Sequence, residues 1–321
     1  MPSPSALEQW ATEQYAETAT FFNDPDSMDD WQIQLHTGES KQSISIIQRL
    51  LKDELDASGA ASDIARMCQS RLVPNKSVQA PQGLWLVLCR AIERFADDEA
   101  AASRKKLAGL LVELSKIDVR DASGNPVKME EGREVFWSEL PGWVLAWRDN
   151  MTGVPDRGSY EDRSDYITNW QRRFQSGNLF QAHWLAQVGQ TGPHRFYNYA
   201  TVIAREHLRE ALETTTEDTP LGRRRTELYV AGILPWITEA GSSLLQLCRA
   251  EYGRDGSKVF SPPGSDEGVV EYAFVGDDGF HMERWGVWKA ALDRVAGLEG
   301  ISPEVARGAA DAAKEMDRLE L

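Results

Sequence analysis

The amino-acid sequence predicts an all-α protein, and three observations carry that expectation. Apolar residues recur at three- and four-residue intervals through most of the 321 positions, the period of a helix with one buried face. The one exception is 258–275, rich in Gly, Pro and Ser and ending in V-V-E-Y-A-F-V, which reads as a loop with a short hairpin, or a lid. Hydrophobic residues make up 41% of the chain and aromatic residues 9%, enough for a sizeable core and unlike a disordered segment. The expected architecture is a single helical domain of about ten helices, with at most a short hairpin or loop insertion near 258–275.

The elements follow in order. Ser5 to Phe22 places Leu7, Trp10, Ala11, Tyr15, Ala19 and Phe22 at helical spacing. Residues 42–55 do the same with Ile44, Ile47, Leu50, Leu51 and Leu55. Pro81 opens G-L-W-L-V-L-C-R-A-I-E-R-F, apolar on nearly every side and therefore central. Residues 102–117 carry Leu107, Leu110, Leu111 and Leu114 on one face. The turn cluster D-A-S-G-N-P at 121–126 then precedes V-F-W-S-E-L-P-G-W-V-L-A-W-R-D-N at 135–150. In that segment Ser138 is an expected N-cap, with Pro141 in the first turn and Leu140, Val144 and Trp147 on one face. Helical patterns continue across 162–188, 195–214, 223–251, 281–296 and 302–320, with Pro235 expected to kink the third of these. No fixed-period repeat or long low-complexity linker divides the chain. Residues 1–75 read as a helical segment packed on the main body, and 76–321 as the main all-α domain.

A formal charge of −15 repels phosphate backbones and anionic lipid, so nucleic-acid and membrane-surface roles are disfavoured. Arg223, Arg224 and Arg225 form the one tight basic cluster and read as a solvated loop or helix start. No apolar stretch approaches the ~20 residues that span a bilayer, and the N-terminus lacks a signal-peptide pattern. A cytoplasmic location is expected, with no membrane partner. The three cysteines, Cys68, Cys89 and Cys248, are odd in number and lack a C-x-x-C, which argues against a zinc site or a disulfide framework.

Standard catalytic motifs are absent: there is no G-x-G-x-x-G, Walker-type G-K-[ST], G-x-S-x-G or H-E-x-x-H. His207, beside Glu206 and Glu210, reads as part of a solvated helix face with i, i+3 and i+4 charge pairs. Asp24, Asp26, Asp29 and Asp30 resemble the aspartate clusters that hold magnesium in helical isoprenoid enzymes. Pro25 interrupts the helix that would aim them, however, and the second metal motif is missing. No metal and no cofactor are expected.

Tryptophan is the informative residue. Of 11 in the chain, Trp137, Trp143 and Trp147 lie within eleven positions, next to Arg148 and Asp149. Glu283, Arg284, Trp285 and Trp288 form a second such group, and Trp236 with Glu239 a third. Arginine can stack on indole or grip a carboxylate, so these groups read either as a charged handle in an aromatic pocket or as structural ion pairs between helices.

Taken in order, the segments resemble the fungal domain-of-unknown-function 3632 family. The resemblance runs through Leu84-Trp85, V-F-W-S-E-L-P-G-W with Arg148-Asp149, and Asn178-x-Phe180-x-Ala182. It continues through Ala211-Leu212-Glu213, Trp236-Ile237 with Ala240-Gly241, F-H-M-E-R-W-G-V-W-K at 280–289, and a final Met316 with Glu320, covering the chain from about residue 80 to its end. It implies an all-helical intracellular fungal protein and little about activity. His183 and Trp184 depart from the arginine and leucine expected after the N-x-F-x-A pattern, which makes His183 the best candidate proton carrier.

The first functional expectation is a small-molecule-binding all-α protein, a fungal secondary-metabolism enzyme of cofactor-independent cyclase or isomerase type. Its catalytic groups would be His183, Asp149, Glu239 and Glu283. Its substrate would be held by Trp137, Trp143, Trp147, Arg148, Asn178, Trp184, Trp236, Arg284 and Trp285. The alternative is a non-catalytic helical interaction or scaffold protein. A third reading, an enzyme acting on charged tRNA, is disfavoured by the acidic charge. An enzyme predicts an enclosed pocket where aromatics and at least two of these polar residues converge. A scaffold predicts the same residues paired with each other and an exposed apolar patch.

Overall fold

The computed structural model describes residues 2–21, 30–68, 80–96, 101–121, 123–128, 136–151, 165–213, 220–253 and 279–321. Among these residues the chain forms twelve α-helices and no strand, so the all-α class holds. One isolated antiparallel bridge, Arg120 to Pro126, closes the turn cluster foreseen at 121–126. The hairpin or lid expected at 258–275 lies outside the described residues, as do Asp24, Asp26 and Asp29. The chain divides into two compact units: Met1–Gly153 with Gln190–Tyr197, and Val154–Gly189 with Asn198–Leu321.

The first unit contains α1 (Pro4–Phe21), α2 (Asp30–Leu51), α3 (Ala57–Met67), α4 (Gln82–Phe95), α5 (Ala102–Ser115) and α6 (Trp143–Met151). As its all-round apolarity predicted, α4 is central: Leu84, Trp85, Leu88, Cys89 and Ile92 are wholly buried, and it packs against α2, α5 and α6. The helices before residue 75 also belong here, with α2 on α4 and α3 on α5. Gly83 lets α2 approach α4, since a Cβ there would lie 2.5 Å from Ser40 Oγ and 2.6 Å from the His36 carbonyl oxygen.

The tryptophan segment departs from its expected form. Ser138 caps no helix; it lies in a turn, and α6 begins only at Trp143. Ser138 N–H donates to Phe136 O at 3.0 Å while Trp137 has φ 65°, a left-handed γ-turn of a kind that is rare and strained. Leu140 at φ 48° and Gly142 at φ 76° complete the reversal. The tight winding is held by burial: it presses Trp137 and Trp143 against Trp85, whose indole N–H donates to Pro141 O at 2.7 Å.

The second unit contains α7 (Asp165–His183), most of α8 (His194–Leu208), α9 (Pro220–Thr238), α10 (Gly241–Arg249), α11 (Met282–Ala296) and α12 (Pro303–Glu320). Two of its helices end in π-helical turns, Trp184–Val188 after α7 and Arg209–Glu213 after α8. α9 packs on α7 and α12, and α11 packs on α10, α12 and the turn Arg209–Glu213. Pro235 lies inside α9, which runs on to Thr238 and closes with Glu239 N–H donating to Pro235 O at 2.9 Å. The break falls at 239–240, and α10 leaves at 80° to α9. Among the described residues no single helix is long and apolar enough to cross a membrane.

Gly142→Ala tests the strained turn. It would put a Cβ 2.5 Å from Ala80 Cβ at a left-handed φ, so a loss of at least about 1–3 kcal/mol in urea unfolding is expected.

Candidate functional site

The predicted site residues fall into both units. In the first, Trp137, Trp143 and Trp147 are fully buried and stack with Trp85 and Phe196. Ring centroids lie 6.2 Å (Trp85–Trp137), 5.4 Å (Trp85–Trp143), 5.2 Å (Trp143–Trp147) and 5.6 Å (Trp143–Phe196) apart. Such edge and tilted contacts are the packing of an aromatic core. Arg148 and Asp149 lie on the outer side of α6, each more than half exposed, with Arg148 Nε 3.0 Å from Asp149 Oδ1. They are not brought to the tryptophan faces.

The second unit has a polar interior built on α7. Phe174, Asn178 and Gln181 fall on one stripe of that helix, at i, i+4 and i+7, and all three are buried. Asn178 Nδ2 donates to Phe174 O at 2.9 Å. Its Oδ1 accepts from Trp236 Nε1 on α9 at 2.7 Å and from His207 Nδ1 on α8 at 2.7 Å. An indole nitrogen can only donate, so the atom it meets is the amide oxygen, and His207 must carry its proton on Nδ1. Nε2 of His207 is thereby left as an acceptor. Burial pushes the imidazole pKa down to about 3, and the ring packs 4.8 Å from that of Phe174. His207 therefore lies inside, not on the solvated face expected for it.

Gln181, one turn beyond Asn178, is 0% exposed, and neither its Oε1 nor its Nε2 has a hydrogen-bond partner among the described residues. It was not among the predicted site residues. His183 follows at the end of α7, half-buried, with Nδ1 3.5 Å from Glu239 Oε2 at the α9–α10 break. Trp184 and Trp236 are fully buried.

A second buried cluster joins the turn Arg209–Glu213 to α11. Glu213 Oε1 lies 2.9 Å from Arg284 Nε and accepts from Trp288 Nε1 at 2.7 Å. Arg284 and Trp288 are one helical turn apart, which is why both reach one oxygen. Arg284 Nη1 also donates to Gly279 O at 2.5 Å. Burial raises the Glu213 pKa, and the Arg284 guanidinium, the Trp288 N–H and Arg209 pull it back. The partner of Arg284 is thus Glu213, whereas Glu283 is exposed on the first turn of α11. Trp285 Nε1 donates to Glu320 Oε1 at 2.8 Å, tying α11 to α12.

No group of three or more His, Cys, Asp or Glu side chains that could hold a metal occurs among the described residues. An open hollow of about 820 Å3 in the second unit is lined by Arg223, Asp293, Arg294, Gly297, Glu299 and Gly300, with none of the predicted site residues.

A family model described as "Protein of unknown function (DUF3632)" matches residues 85–292, well over half of the chain, and the chain belongs to that family. The match includes the tryptophan turn, the α7 stripe, Glu213 and the α11 motif, and stops short of Met316 and Glu320. No curated protein and no solved structure matches the chain.

Two outcomes are expected of the buried groups. Glu213→Ala strands the Arg284 charge and costs about 3–5 kcal/mol, whereas Glu213→Leu with Arg284→Met costs far less than the summed single losses in a double-mutant cycle. The depressed pKa of His207 contributes stability that is fully present above the ordinary 6.5 and is lost as pH falls toward about 3. Urea unfolding over that interval should show a shallower acid loss in His207→Asn, whose amide nitrogen can still donate to Asn178.

Proposed function

We propose that this protein binds a small polar molecule in the interior of its second unit, along the Phe174, Asn178 and Gln181 stripe of α7. The observation that carries this reading is the Gln181 carboxamide. Buried polar groups are hydrogen-bonded in the large majority of cases, and each one left unsatisfied costs about 1–3 kcal/mol. A fold that keeps a wholly buried amide with both ends unused, one turn from an asparagine whose oxygen and nitrogen are both hydrogen-bonded, is balanced for a ligand that completes it. The neighbouring π-helical turns agree with this, since such turns recur at functional sites.

The cytoplasmic, fungal secondary-metabolism setting and the cofactor-independent cyclase or isomerase chemistry belong to the same proposal. His183 and Glu239, 3.5 Å apart and less deeply buried than Gln181, are the pair that would carry proton transfer. A scaffold role is favoured by the internal pairing of Arg148 with Asp149, Arg284 with Glu213 and Trp236 with Asn178, and by Leu145, 46% exposed on α6.

Gln181→Leu separates a binding group from a packing group. The variant should be more stable than the parent by about 1–3 kcal/mol in urea unfolding, because an unsatisfied amide is replaced by an apolar side chain of similar volume. Native mass spectrometry of the protein as purified should show a small-molecule adduct that the variant lacks. A variant that unfolds more readily and carries the same adducts overturns the reading.

A further inference from the structure

We infer that the molecule taken at Gln181 is uncharged and presents a hydrogen-bond donor and an acceptor side by side, as a lactam or a primary carboxamide does. This rests on the small-molecule reading above and names its ligand class. A carboxamide holds one acceptor oxygen and one donor nitrogen in a single plane. A second group of the same kind, inverted, engages both atoms at once through two parallel hydrogen bonds, one accepted by Oε1 and one donated by Nε2. A ketone or an ether would engage Nε2 and leave Oε1 buried and unmet, and an ammonium group, which only donates, would do the reverse.

The surroundings disfavour charge. Gln181 lies one turn from Asn178, whose oxygen is already taken by Trp236 and His207. His207 is held neutral by the same burial, so it offers no cation to an anionic ligand. His183, two residues beyond Gln181, has its own counter-group in Glu239, 3.5 Å away. A carboxylate ligand would set its lone pairs against Gln181 Oε1 and lose its hydration with no counter-charge in return. Trp184, three residues after Gln181 in the π-helical turn that follows α7, is a fully buried aromatic ring, which suits a flat ligand.

The probes are 2-pyridone, a planar cis-lactam, its N-methyl analogue, which lacks the donor, and benzoate, which carries the charge. Binding to the intact chain is followed by ligand-observed NMR titration, in parallel with Gln181→Leu. The expected result is that 2-pyridone binds, that N-methyl-2-pyridone binds ~10-fold or more weakly, and that benzoate does not compete. The preference for 2-pyridone should vanish in Gln181→Leu. Equal binding of the two pyridones, tighter binding of benzoate, no binding by any probe, or an unchanged preference in the variant each overturns the ligand class. If Gln181→Leu is stabilised while the pyridone preference is flat, only the class has failed; if the variant is destabilised, the site itself has.

Discussion

One oxygen atom organises the interior of the second unit. Asn178 Oδ1 receives the indole N–H of Trp236 and the imidazole N–H of His207, so a single buried acceptor ties α7 to α9 and α8. Each neighbour then has a determined form: the amide cannot flip, and the imidazole cannot shift its proton to Nε2 without losing the bond. The Asn178 nitrogen is committed to the carbonyl of Phe174 in the preceding turn. A buried network of this kind rigidifies its surroundings. Against that background the idle amide of Gln181 stands apart from the other polar groups of its stripe.

The Glu213 cluster follows a different rule. Its carboxylate is offset by Arg284 and Trp288 from one face of α11, yet desolvation still dominates and raises its pKa. Buried ion pairs of this sort add little net stability and a great deal of selectivity, because only one register of α11 brings both partners to the same oxygen. The first unit has a smaller ionic contact, Arg90 with the buried Glu93. Its centre is aromatic contact among Trp85, Trp137, Trp143, Trp147 and Phe196, gathered by a turn with two non-glycine residues in left-handed conformation.

Much of the fold was legible because helical periodicity survives in nearly every segment. The three strongest patterns, around Leu50, Leu88 and Leu111, became α2, α4 and α5. The tryptophan turn was not legible: Ser138 and Pro141 fit an N-cap and a first turn locally, and only the burial of Trp137 and Trp143 against Trp85 favours the strained alternative. His207 was masked by Glu206 and Glu210, although it continues the spacing of Ala200, Ile203 and Ala204, which are all buried. That spacing was the available signal. Gln181 and Glu213 stand inside recognised motifs, Asn178-x-Phe180-x-Ala182 and Ala211-Leu212-Glu213, but a motif does not say which polar atoms find partners. The π-helical turns left no mark, since the extra residue per turn is imposed by packing.

The bonds that close the second unit also set how it can form. Trp288 reaches Glu213 across 75 positions, Glu227 receives the Ser302 backbone N–H across 75, and Trp236 meets Asn178 across 58. Helices α7 to α12 can each begin locally, yet none of these junctions exists until long loops have closed, and loop entropy is spent before the contacts repay it. The charged members, Arg284 and Glu213, must in addition shed water as they meet. An α-helical chain ordinarily assembles from near neighbours; here the polar junctions join helices far apart in sequence, and α11 in another register would leave the Arg284 charge unmatched.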